Sequence, residues 1–90
     1  MNVMSKVERK IIVNTKQGLH ARPAAMFVQI ANKHDSVVMV RRGQEEVNGK
    51  SIMGILMLGA DHGCEIHLTV DGNDAEAAFQ ELEAFLGKEE

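Results

Sequence analysis

Between residues 64 and 70, Cys64, Ile66, Leu68 and Val70 alternate with Glu65, His67 and Thr69. A period of two is the mark of a strand with one buried face. After Asp71-Gly72 the period changes, and Ala75, Ala78, Phe79, Leu82, Phe85 and Leu86 make one apolar stripe of a helix. Asn73 and Glu76 are spaced as its capping box. A one-faced strand followed by a one-striped helix restricts the chain to a sheet with helices packed on it.

The upstream residues extend this pattern. Val7, Ile11 and Val13 mark a strand over residues 7–15, with Ile12 fitting its other face less well. Ala24, Phe27, Val28 and Ala31 recur at helical spacing and predict a helix over Ala21–Asn32. Val37-Val38-Met39-Val40 is a β-branched run; Arg42-Gly43-Gln44 turns it into a short third strand over residues 45–47, so residues 36–48 form a hairpin. Ser51 stands where an N-cap belongs, ahead of a short apolar helix ending near Gly59. The order βαββαβα fits an α+β open-faced β-sandwich, a four-stranded antiparallel sheet with three helices on one face. One domain is expected over residues 7–86, with residues 1–6 as an N-terminal extension and 87–90 as a polar tail.

Composition excludes several functions. The net charge is −3 with no basic block, and the only aromatics are Phe27, Phe79 and Phe85, all at core positions. Nucleic acid is not an expected partner, since both a phosphate-tracking stripe and a stacking platform are missing. One cysteine excludes an internal disulfide and fits a reducing compartment; Cys64 reads as a small buried hydrophobe. With no leader pattern and no apolar run of membrane-spanning length, the expectation is a soluble cytoplasmic protein without membrane insertion. His62, Cys64 and His67 do not make a metal site, because Cys64 and His67 fall on opposite strand faces. His34 reads as a favourable cation at the end of the first helix.

The chemistry concentrates in G-L-H-A-R-P-A-A, residues 18–25. Pro23 suits an early helical position, which puts His20 at or beside the N-cap. That end carries free N–H groups and a partial positive charge of roughly half a unit, so it attracts anions. The same charge opposes a second positive charge on the ring and favours a nitrogen with a free lone pair, a nucleophile. Arg22 adds a planar guanidinium suited to phosphate oxygens.

The G-L-H-A-R-P-A stretch around His20, together with K-S-I-M-G at residues 50–54, resembles the active-site and regulatory-serine motifs of HPr, the histidine-containing phosphocarrier of the bacterial phosphoenolpyruvate-dependent phosphotransferase system. The resemblance covers about residues 7–86. It implies a relay in which enzyme I phosphorylates His20 on its δ1 nitrogen and the chain passes the group to an enzyme IIA for sugar uptake. Arg22 would neutralise charge on the phosphoryl group. The protein would be a relay rather than an enzyme, without a cofactor, and a monomer.

The resemblance also implies that Ser51 is open to phosphorylation by an HPr kinase/phosphorylase. On the second helix Ile55 and Leu58 are assigned to the core, whereas Ile52, Met53 and Leu56 would form an exposed docking patch, completed by Ala21, Ala25, Met26 and Gln29. Met57 is more apolar than its place needs. The rival readings are a regulatory homologue that acts only by binding, against which His20 argues, and a signalling or nitrogen-branch carrier without a sugar-transport role.

Overall fold

The computed structural model describes residues 5–88. Its elements are β1 (Ser5–Ile12), α1 (Ala21–Asn32), β2 (Val37–Arg42), β3 (Glu45–Asn48), α2 (Ile52–Leu58), β4 (Glu65–Gly72) and α3 (Ala75–Leu86). The sheet order is β1-β4-β2-β3, with every neighbouring pair antiparallel. The fold is the expected open-faced α+β sandwich.

The period-two pattern sets the register. Val70 pairs with Val7 on one side and Val38 on the other, and Leu68 pairs with Arg9 and Val40. Ile66, Leu68, Val70, Val38 and Val40 are buried against Phe27, Phe79, Leu82 and Leu86 from the helices. Ile12 and Val37, on alternate positions, are exposed. Arg9 shares the parity of Val7 and Ile11, so its stem lies on the helix side, where its guanidinium stacks 4.8 Å from the Phe79 ring centroid and pairs with Glu83 at 3.6 Å.

Four local readings are corrected. β1 begins at Ser5 and ends at Ile12, because Ser5 and Lys6 pair with Gly72 and Asp71 while the chain beyond Val13 leaves the sheet. Residues 5 and 6 are therefore strand rather than extension, and the rest of the extension, residues 1–4, lies outside the described residues. The capping box at Asn73 does not form: the N-cap of α3 is Asp74, and its side chain makes no capping bond. That carboxylate instead accepts from the backbone N–H groups of Asp35 (2.9 Å) and Ser36 (3.0 Å) and from the Ser36 hydroxyl. Cys64 is only half-buried, since β4 starts one residue later and leaves Cys64 in the entering loop.

His34 has a larger role than that of a helix-end cation. Its ring bridges to α3, with Nδ1 3.3 Å from Asp74 and Nε2 3.0 Å from Glu81, while Lys33 also pairs with Glu81. The Ser36 hydroxyl, then the Asp35 N–H, hold the Asp74 carboxyl well below the usual carboxylate range. Glu81 is lowered by Lys33 and then His34. On the open face of the sheet His67 Nε2 lies 3.0 Å from Glu8, and that bond, followed by Lys6, lowers Glu8.

Candidate functional site

His20 is the N-cap of α1, with extended backbone (φ −114°, ψ 155°) and no side-chain capping bond. Its ring is free for another use. The loop that delivers it is fixed from below: the Thr15 hydroxyl donates to Gly18 O at 2.8 Å, Gly18 N–H donates to Thr15 O at 2.9 Å, and Leu19 is fully buried. The loop after α2 lies against this one. Leu19 N–H donates to Ala60 O at 2.7 Å, and Gly63 N–H donates to Val13 O at 2.7 Å.

That second loop carries Asp61. Its Oδ1 lies 2.7 Å from His20 Nε2, with the imidazole 44% exposed and the carboxylate 76% exposed. Among the described residues, Nδ1 of His20 has no hydrogen-bond partner. Sequence reasoning missed Asp61, which lies 41 positions from His20. The signal that was available is a carboxylate in a Gly-Ala-Asp-His-Gly loop, which points to a turn and not to what that turn faces.

The first turn of α1 is electrostatically unusual. It holds no acidic residue, and Pro23 removes one of its N–H groups, so Ala21 and Arg22 supply the donors that have no helical partner. Ala21 has φ +46°, the only non-glycine with positive φ among the described residues. Left-handed backbone costs an alanine roughly 1–2 kcal/mol. Arg22 is exposed and lines a cleft of about 710 Å³ with Lys16, Gln17, Pro23, Met26 and Phe85. Among the described residues, the cleft is lined by two cations and no anion.

Ser51 is the N-cap of α2, and its hydroxyl accepts from Gly54 N–H at 3.1 Å, the capping geometry its position predicts. Ile55 and Leu58 are buried, whereas Ile52, Met53, Leu56 and Met57 are exposed, Met53 by 64% and Met57 by 71%. Ala21, Ala25, Met26 and Gln29 are exposed on α1. Among the described residues no three His, Cys, Asp or Glu side chains gather as metal ligands, and no helix is long and apolar enough to cross a membrane.

Comparison with known proteins returns one family. Residues 7–88 match the model described as PTS-HPr, "PTS HPr component phosphorylation site". The chain is 45% identical over 83 residues to the HPr-like protein Crh of Halalkalibacterium halodurans, covering 92% of this chain and 99% of that one. The crystal structure of the phosphocarrier protein HPr from Bacillus anthracis is similar with a TM-score of 0.88 at 41% identity, covering 91% of this chain and 98% of that one. The Crh of Bacillus subtilis, a catabolite repression protein whose crystal structure is described as a domain-swapping dimer, is similar with a TM-score of 0.75 at 42% identity, covering 93% and 97%.

Proposed function

Since the chain belongs to the HPr family of phosphocarrier proteins, we propose that it accepts a phosphoryl group from enzyme I on Nδ1 of His20 and passes it to an enzyme IIA for sugar uptake and phosphorylation. The observation that carries this reading is the half-exposed N-cap imidazole whose Nδ1 has no partner among the described residues. The δ1 lone pair attacks phosphorus, and the bond from phosphorus to the donor breaks, its electron pair leaving with the donor. Backbone N–H groups of Ala21 and Arg22 and the Arg22 guanidinium receive the equatorial oxygens. Such transfer needs positioning and charge stabilisation more than covalent help, so a small surface on a partner protein suffices as donor or acceptor. A relay of this kind turns over only between partners, in the cytoplasm.

The exposed apolar side chains of Ile52, Met53 and Leu56, with Ala21, Ala25, Met26 and Gln29, form the docking surface of this reading. Methionine suits a carrier that must fit several partners. Ser51 is the regulatory site, phosphorylated by an HPr kinase/phosphorylase; the added charge slows charging of His20. Equal enzyme I rates with and without phospho-Ser51 would refute that part.

The test is phosphorus NMR after incubation with phosphoenolpyruvate and enzyme I, beside His20→Ala. An acid-labile phosphohistidine signal confined to the parent protein supports the assignment; the same signal in His20→Ala refutes it. The similarity to Crh, a catabolite repression protein, favours a second reading, a regulatory or signalling role without sugar transport. Transfer from phosphorylated protein to a sugar-specific enzyme IIA distinguishes the two. The carrier acts as a monomer in this reading, and a dimer by size-exclusion chromatography would overturn that part.

A further inference from the structure

We propose that Asp61 is a positioning residue for phosphoryl transfer at His20: it keeps a proton on Nε2 through charging and discharge, and so reserves Nδ1 for phosphorus. The inference rests on the carrier reading above. An ionised carboxylate only accepts hydrogen bonds, so the nitrogen 2.7 Å from Asp61 Oδ1 is the one that bears hydrogen. A neutral imidazole has a single N–H, which leaves the lone pair on Nδ1. The carboxylate thus selects the tautomer and the ring orientation together, as an aspartate does in a catalytic triad.

The electron balance gives the carboxylate a second role. When Nδ1 forms its bond to phosphorus, the donor keeps the electron pair of the bond that breaks and the His20 ring becomes a phosphoimidazolium. Its positive charge develops opposite Asp61, where an acceptor is already in place. On discharge the Nδ1–P pair returns to the ring, and a neutral imidazole leaves because Nε2 never lost its proton. No external acid or base is needed in either direction. Docking of a partner would exclude water from this exposed pair and strengthen it.

The fold holds Asp61 for this task. Its own carbonyl accepts from Cys64 N–H at 3.0 Å, the preceding Ala60 carbonyl accepts from Leu19 N–H, and the following His62 uses Nδ1 to bond Thr15 O at 3.2 Å. The first bond closes the turn that holds the aspartate, and the other two fix its neighbours on either side against the loop that carries His20.

The experiment is single-turnover transfer from phosphorylated enzyme I to the parent and to Asp61→Ala, Asp61→Asn and Asp61→Glu, with ring nitrogen-15 NMR of the phosphorylated proteins. Asp61→Ala is expected to lower the maximal rate about 10-fold with half-saturation little changed, since one charge-assisted bond at an exposed site is lost. Asp61→Asn, which retains an acceptor without charge, falls between, and Asp61→Glu recovers part of the rate. The parent's phosphorylated ring holds its Nε2 proton to higher pH than that of Asp61→Ala, a signature that a merely structural residue would not give. An unchanged rate and unchanged ring spectrum in Asp61→Ala overturn the role of Asp61 alone. A parent that takes no phosphoryl group from an active enzyme I overturns the carrier reading, and this role with it.

Discussion

Gly18→Ala tests how the two loops of the site are held together. Gly18 has φ +64°, and a Cβ built there would lie 2.5 Å from Ala60 O and 2.7 Å from Asp61 Cα. Those are backbone atoms, so no side chain can swing aside. The left-handed conformation costs an alanine roughly 1–2 kcal/mol, and forcing an extra carbon into packed backbone adds about 1–3 kcal/mol. Gly43 supplies the control: it has φ +62° at the β2–β3 turn, but a Cβ there meets nothing within 4 Å. Gly43→Ala carries only the conformational cost. At about 4–8 °C per kcal/mol for a domain of this size, thermal melts followed by circular dichroism are expected to show a loss of roughly 4–16 °C for Gly43→Ala and roughly twice that for Gly18→Ala. Gly18→Ala should also slow phosphoryl acceptance, because Asp61 has to move, while Gly43→Ala should not. Equal melting losses in the two variants would refute the steric argument, leaving backbone conformation as the whole effect.

Ser51→Ala removes the bond to Gly54 N–H and is expected to lower stability by about 1 kcal/mol in urea titration. Met53→Ser should leave the urea midpoint within about 0.5 kcal/mol, as exposed sites do, and weaken binding to enzyme I in titration calorimetry; unchanged binding would remove Met53 from the docking surface. The polar cluster joining α1 to α3 predicts an acid limb. Asp74 is lowered in the folded state, chiefly by Ser36, so its stabilisation is present above the ordinary aspartate value near pH 4 and disappears as pH falls below it. Glu81 acts in the same direction. Urea midpoints between pH 7 and pH 2 should therefore fall less steeply for Asp74→Asn than for the parent, and parallel curves would refute the assignment.

Most of the fold was legible because the buried faces repeat. β4 and α3 declare themselves by periods of two and of three to four, and α1 was placed to the residue because Pro23 and the apolar stripe agree. The place of His20 at the N-cap of α1 was legible for the same local reason. Asp61 was not, since its meaning depends on a contact between loops before α1 and after α2. The Asn73 capping box failed on similar grounds: Asp74, one residue on, had three donors to reach across the molecule around Ser36. Arg9 broke the inward pattern of β1 only until Phe79 and Glu83 of α3 supplied a stacking face and a counter-charge. Periodic contacts are written in the residues that make them; polar contacts between distant loops are written half in each partner.

The first turn of α1 breaks both rules for a helix start, whereas α2 and α3 each keep one. α2 has a serine cap that bonds its backbone, and α3 places Glu76 in its first turn. α1 begins with a histidine that caps nothing and an alanine at φ +46°, and it then sets Arg22 at the positive end of its own dipole. Replacing the cap with serine and the arginine with glutamate should each help the helix, by about 1 kcal/mol for the cap and 0.3–1 kcal/mol for the charge. Serine is preferable to aspartate at position 20 because the Asp61 carboxylate faces that position. The double variant His20→Ser, Arg22→Glu is therefore expected to fold about 1–2 kcal/mol more stably in urea titration and to accept no phosphoryl group. A double variant that is less stable than the parent would mean that His20 and Arg22 are held by the fold itself, and the argument from local rule-breaking to a phosphoryl site would lose its physical basis.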